Sequence, residues 1–168
     1  MPVQRLNHAV LYVRDVARSH AFYRDVLGFR AKMEIPGAAV FLQAEGSTND
    51  HDLGLFQIGA GAGSSEAGRR TVGLYHLAWE VDTLAELTRI RDALREAGAL
   101  VGMSDHATTK ALYAQDPDGL EFEVSWLVPA EFLTPELVQG AAMTAPLDLD
   151  REAARYGAHT RGGVGVSV

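Results

Sequence analysis

The amino-acid sequence predicts an α+β fold of two tandem βαβββ modules whose sheets enclose a cleft, and three observations carry that prediction. The first is an internal repeat. His8 lies within Asn7-His8-Ala9-Val10-Leu11-Tyr12-Val13-Arg14-Asp15 and His76 within Tyr75-His76-Leu77-Ala78-Trp79-Glu80-Val81-Asp82. Both stretches are mostly apolar and β-prone, each histidine stands mid-strand, and a valine (Val13, Val81) follows it by five residues. The second observation is that each stretch gives way to a helical pattern closed by a glycine, Gly28 and Gly98, where a helix C-terminus favours the left-handed conformation. The third is that short apolar runs separated by turn residues follow each helix.

The elements follow in order. A first helix at about 15–27 stacks Val16, Phe22, Tyr23, Val26 and Leu27. Strand-like runs at about 29–35, 38–44 and 52–58 come next, with Pro36-Gly37 as a turn. A second helix at about 83–97 stacks Leu84, Leu87, Ile90, Leu94 and Ala97 at 3/4 spacing. Its strands fall at about 99–103, 109–115 and 119–127, with Asp116-Pro117-Asp118-Gly119 as the turn. Residues 1–128 therefore read as one domain, with module 1 at about 1–58, a glycine-, serine- and alanine-rich mobile linker at 59–70 and module 2 at about 71–128. Residues 129–168 form a C-terminal extension with one or two short helical stretches and a frayed end.

Composition narrows the chemistry. The chain has 168 residues and no cysteine, which excludes a disulfide scaffold, a thiolate zinc site, an iron–sulfur cluster and a cysteine nucleophile. Any metal must be held by nitrogen and oxygen. The net charge of −7 with no basic run argues against a nucleic-acid partner. No apolar run approaches the roughly 20 residues of a membrane span. The start, Met1-Pro2-Val3-Gln4-Arg5-Leu6, lacks a secretory pattern, so a cytoplasmic protein is expected. Gly59-Ala60-Gly61-Ala62-Gly63-Ser64-Ser65 has no Gly-Lys-Ser/Thr after it and is a linker rather than a phosphate cradle.

Among six histidines, His8 and His76 occupy equivalent places in the two halves, and quasi-symmetry brings their strands together across the cleft. Glu123 stands in the apolar run Leu120-Glu121-Phe122-Glu123-Val124-Ser125-Trp126, where a carboxylate is costly to bury unless paired or metal-bound. Glu121 shares its face, so the two glutamates also read as a solvated pair. Two neutral imidazoles and one carboxylate match the facial triad of non-haem iron(II) oxygenases; packed, hydrogen-bonded core histidines are the alternative.

These residues resemble the vicinal oxygen chelate superfamily, over residues 5–128, and within it a small single-domain type I extradiol ring-cleavage dioxygenase. Phe22-Tyr23 and Leu27-Gly28-Phe29 are typical of the superfamily. The narrower match is His106, then Leu112-Tyr113, Asp116-Pro117-Asp118-Gly119 and Glu123, which follows the extradiol signature with Ser104 as a departure. The resemblance implies curved mixed sheets around a metal-binding cleft, metal ligation by His8, His76 and Glu123, and His106 and Tyr113 beside the substrate. It places His51 as an acid/base histidine on a strand facing the metal. It implies iron(II), with manganese(II) as a possible substitute, a catechol-type aromatic diol and dioxygen as partners, and a homodimer or larger homo-oligomer. His20 and His159 are left to packing or solvent. Trp79 and Trp126 serve either as core or as pocket wall.

Two rival readings share the superfamily. A glyoxalase-type lyase or isomerase uses a fourth protein ligand, a first-half glutamate. Glu123 lies 47 residues beyond His76, and the same step from His8 lands on Leu55, with Gln57 next on that face and no carboxylate there. The nearest, Asp52, is on the wrong strand face. A metal-free drug-binding protein usually lacks the paired histidines. The Pro146-Leu147-Asp148-Leu149-Asp150 segment resembles the extension of some small catechol dioxygenases, placed over the cleft or against another subunit.

Overall fold

Helix boundaries follow the capping chemistry written in the chain. A computed structural model of the protein describes residues 2–67, 70–163 and 166–167; Gly68 and Arg69 of the expected linker, and Val164, Gly165 and Val168 of the expected frayed end, lie outside the described residues. Helix α1 (Val16–Leu27) begins where the Asp15 carboxylate accepts from the Arg18 amide, and it stops at Gly28, whose φ of 75° is open to glycine without a Cβ penalty. Helix α2 (Leu84–Glu96) begins where the Thr83 hydroxyl accepts from the Glu86 amide. Gly98 just past its end also has a positive φ, 65°.

By backbone proximity the chain divides into two units. The first comprises the residues up to Ser65 together with Asp116–Gly119, and the second Glu66–Gln115 with the chain from Leu120 onward. The first holds β1 (Ala9–Val13), α1, β2 (Arg30–Ile35), β3 (Ala39–Gln43) and β4 (Leu53–Gln57). Its sheet runs β1-β4-β3-β2, with β1 parallel to β4 and the other pairs antiparallel. The core is Val13, Val16, Tyr23, Val26, Phe29, Val40, Leu42, Leu53 and Leu55. Phe22 and Leu27 of the expected helical stripe are only half-buried.

The second unit repeats the plan with β5 (Leu77–Glu80), α2, β6 (Leu100–Asp105), β7 (Thr109–Gln115) and β8 (Glu121–Leu127), where β5 is parallel to β8. Leu84, Leu87, Ile90 and Leu94 of α2 are buried, as are Leu112, Phe122, Val124 and Trp126 of the sheet, so Trp126 is core. Ala97, expected in the stripe, is an exposed cap residue, because the helix ends at Glu96. The fold is thus α+β with two mixed sheets in tandem βαβββ arrangement. The sequence reading missed β9 (Ala145–Pro146), which adds a fifth strand antiparallel to β6. Pro146 is tolerated there because β9 is an edge strand.

The rest of the extension holds α3 (Pro135–Gln139) and α4 (Leu149–Tyr156), and α4 packs on α2. Leu149, Glu152 and Tyr156 form its buried face, one helical turn apart. The extension therefore docks on the second unit's own sheet and helix. No helix among the described residues is long and apolar enough to cross a membrane.

The Asp-Pro-Asp-Gly turn works as a structural part of the first unit. The Asp118 carboxylate accepts from the Arg14 amide at 2.7 Å and the Arg14 guanidinium at 3.1 Å, and it also pairs with Arg18. Arg14 in turn donates to the Ala62 carbonyl at 3.0 Å and the Ser64 hydroxyl at 3.2 Å, which tethers the start of the expected linker. Tyr23 donates its buried hydroxyl to Asp116 at 3.3 Å. Burial, then the Asp116 charge, pushes the Tyr23 phenol well above its usual value.

Two outcomes follow. A raised phenol pKa contributes stability that is present below the unfolded value near 10 and lost as pH rises beyond it. The urea midpoint is therefore expected to fall between about pH 8 and pH 11 by more in the wild type than in Tyr23→Phe; parallel falls would contradict the assignment. Leu87→Ala is expected to cost roughly 2–5 kcal/mol in denaturant unfolding, since Leu87 is fully buried.

Candidate active site

The second sheet gathers four of the six candidate side chains on one face. Glu123 lies on β8, paired in register with Ala78 of β5 and Tyr113 of β7. Directly opposed cross-strand residues share a face, so Tyr113 and Glu123 stand side by side. His76 precedes β5 by one residue, and its Nε2 lies 3.5 Å from Glu123 Oε2. The His76 and Tyr113 rings are 6.3 Å apart. The opposite face of β8, with Phe122, Val124 and Trp126, is buried. The glutamate is accordingly only 15% exposed, and its partner is the imidazole.

His106 follows β6 and meets Tyr113 from the same unit, with Nε2 at 2.9 Å from the phenolic oxygen. Its Nδ1 faces the Met143 carbonyl at 3.2 Å, an acceptor only, so Nδ1 carries the proton and Nε2 accepts from the Tyr113 hydroxyl. Burial first, then the Glu123 and Tyr75 charges, raise the Tyr113 phenol above its usual value. A phenol held protonated in this way is a hydrogen-bond donor across the neutral range.

In the first unit the rings of His8 and His51 lie 4.5 Å apart, and His51 meets Phe41 edge-on at 5.1 Å. The His51 Nδ1–H donates to Asp50 at 3.0 Å, and that bond is the main cause holding the Asp50 carboxyl below its usual range. The His8 Nδ1–H donates to the Asn7 side chain at 2.7 Å.

Three local placements differ from the sequence reading. His8 and His76 each stand just ahead of a strand rather than in its middle. His51 is in the loop before β4 rather than on a strand, because Asp52 ties that loop together by accepting from the Ala44 amide, the Ser47 hydroxyl and the Asn49 amide. Pairing of β1 with β4 therefore starts at Ala9 and Leu53. The position equivalent to Glu123 is also one residue from the count. Gly54 pairs with Val10 and Phe41 as Glu123 pairs with Ala78 and Tyr113, so the mirror residue is Gly54 and not Leu55. The conclusion that no carboxylate stands there is unchanged. Gln57 is engaged elsewhere, accepting from the Val16 amide at 3.1 Å.

Among the described residues, no three His, Asp or Glu side chains form a ready metal-holding group. His20 is half-buried on α1, and His159 is exposed in the tail. The sequence reading missed the partners of His106, the Met143 carbonyl and the Thr144 hydroxyl at 3.4 Å, and it missed the buried Lys110, which donates to the Ala107 carbonyl in the same loop. Lys110 was legible, because period-2 alternation puts it on the same inward face as Leu112 and Ala114.

The Tyr113 assignment has a direct check in metal-free protein. The tyrosinate absorbance lost in Tyr113→Phe is expected to titrate above the usual phenol range; an ordinary or lower midpoint would refute the burial argument.

A family model described as Glyoxalase/Bleomycin resistance protein/Dioxygenase superfamily matches residues 5–124. A biphenyl-2,3-diol 1,2-dioxygenase 3 of Rhodococcus globerulus is 34% identical over 135 residues, spanning 79% of this chain and 66% of the relative. A catechol-2,3-dioxygenase of Bacillus subtilis (strain 168) is 32% identical over 127 residues, spanning 71% of this chain and 40% of the relative. The chain thus spans less than two thirds of the length of either. The crystal structure of a glyoxylase/bleomycin resistance protein/dioxygenase domain from Frankia sp. EAN1pec superposes with a TM-score of 0.63 at 21% identity, covering 74% of this chain and 92% of that one. With the repeated βαβββ units and a family match over most of its length, this chain belongs to the glyoxalase/bleomycin resistance protein/dioxygenase superfamily.

Proposed function

We propose that the protein is an extradiol ring-cleavage dioxygenase that opens a catechol-type aromatic diol with dioxygen. The observation that carries this reading is the shared sheet face on which a His76–Glu123 pair stands beside a Tyr113–His106 pair. The names of the two relatives, both diol dioxygenases, support it.

His8, His76 and Glu123 are the residues that would hold iron(II), or manganese(II) as a substitute. Their donor set fits: two imidazoles and one carboxylate, with no thiolate anywhere in the chain. When bound, the metal would supply the Lewis acidity and the oxygen chemistry that ring cleavage needs. The first unit offers Gly54, not a carboxylate, at the place equivalent to Glu123, which suits a metal with open positions better than a four-ligand lyase.

The remaining roles belong to side chains. His51, with Asp50 accepting from its Nδ1–H, keeps Nε2 to take a proton from the diol and to return it later. Tyr113 holds its proton and donates it in a hydrogen bond to a substrate oxygen as charge develops there. Without substrate the same hydroxyl donates to His106 Nε2, which keeps it in place until a substrate oxygen takes over as acceptor. Phe41 and Phe56, edge-to-face at 5.7 Å, give the first sheet an aromatic surface beside Gly54, of the kind that packs a diol ring. A homodimer or larger homo-oligomer and a cytoplasmic location belong to the same proposal.

The test is spectral. Protein purified without oxygen, loaded with iron(II) and given a catechol and air is expected to develop the visible band of a yellow ring-fission product. His8→Ala and Glu123→Ala are expected to abolish it, and Tyr113→Phe to lower kcat by about 10²-fold or less. A metal-binding protein that gives no band with any of several catechols would instead favour the lyase reading. Failure to bind any metal would return the three ligands to structural roles.

A further inference from the structure

Lys110 lies on β7 with its side chain fully buried, in contact with two carboxylates. Its Nζ donates to Asp105 Oδ1 at 2.5 Å and to the Ala107 carbonyl at 3.0 Å, and it lies 3.1 Å from Glu152 Oε2 on α4. The same Asp105 oxygen accepts from the Ala107 amide at 2.8 Å. These bonds close around one short loop, residues 106–108, which begins with His106.

That loop is strained. Ala107 has a φ of 61°, the one positive value outside glycine among the described residues. An L-residue in the left-handed region persists only where its surroundings over-determine it. Here the surroundings are Lys110 on the carbonyl and Asp105 on the amide, while Thr108 donates to the His106 carbonyl at 2.7 Å and His106 donates to the Thr109 carbonyl at 2.9 Å. The imidazole leaves the loop with both nitrogens engaged, Nε2 toward Tyr113 and Nδ1 toward Met143.

A buried lysine beside two carboxylates costs desolvation, and a well-packed apolar residue would often serve the fold as well. Its effect here is geometric. We propose that Lys110 is a positioning residue for His106, acting through the 105–108 loop, and that α4 holds it there through Glu152. This deepens the dioxygenase reading, since it rests on His106 serving beside the substrate, and it gives the C-terminal extension a part in the site. The extension meets His106 twice, at Nδ1 through Met143 and Thr144 and at the loop through Glu152 and Lys110.

The test uses Lys110→Met with Glu152→Gln, which removes both charges at similar volume and leaves Asp105 beside Arg151 at 3.6 Å. The first readout needs neither iron nor substrate: imidazole nitrogen and proton resonances of the full chain, with those of His106 identified by their absence in His106→Ala. In the wild type they are expected to show the single Nδ1–H tautomer, and in the double variant a mixture, while circular dichroism and a cooperative melt show the fold retained. If the double variant does not fold, Glu152→Gln alone is expected to move the same resonances in the same direction. The second readout is kinetic: kcat lower by about tenfold or more with KM within about twofold, and no further loss when the changes are added to His106→Ala. Unchanged His106 resonances in a folded variant would overturn the proposal, as would losses that multiply in full with His106→Ala. Because the resonances are read without catalysis, they separate this proposal from the question of ring cleavage.

Discussion

The parallel pairing of first strand with last is the constraint on which each unit depends. Parallel neighbours cannot be joined by a tight turn, so the chain must cross over, and the helix that makes the crossing covers one sheet face. In both units the last strand therefore sits between the first and the third, with the order first, last, third, second. The residue just ahead of the first strand then lies beside the residues that start the last one. In the first unit this puts His8 against His51, and in the second it puts His76 against Glu123. The polar groups gather on the face the helix leaves uncovered.

The two units share a skeleton down to its irregularities but differ in chemistry. Each second strand carries a bulge after its first paired residues, at Lys32 in β2 and Val101 in β6. Beyond the bulge, Met33 pairs with Phe41 and Phe41 with Gly54, just as Gly102 pairs with Tyr113 and Tyr113 with Glu123. Where one unit has a phenol opposite a carboxylate, the other has a phenyl ring opposite a glycine. Duplicated scaffolds allow such divergence, because a strand's outward residues contribute little to the core that its inward residues build.

Much of this was legible in the sequence. Periodicity and caps located both helices to within a residue, and alternation located eight strands, since local preference and tertiary packing agree there. The candidate side chains of the second sheet were legible as a motif. What escaped was set by distant partners. The step of 47 residues from His8 misses Gly54 because loop lengths in the two units differ, and no local signal reports a loop's length relative to its counterpart. His51 looked strand-like because the pull of Asp52 on its own loop has no hydrophobic signature. Strand β9 is two residues long and includes a proline, so only its pairing with β6 defines it.

That small strand bears on solubility. A sheet's outermost strand presents unpaired amide and carbonyl groups that invite another chain, and proteins blunt such edges in different ways. On β2 the means are charge and shape: Arg30, Lys32 and Glu34 are exposed, with a bulge between Ala31 and Met33. The corresponding strand β6 has the bulge but only one charge, Asp105, reading Leu100-Val101-Gly102-Met103-Ser104-Asp105, with Val101 63% exposed. At its far end Ala145 and Pro146 take the bonding positions, and proline offers no amide for a further strand to use. The segment that meets His106 thereby also shields that end of the sheet from intermolecular pairing.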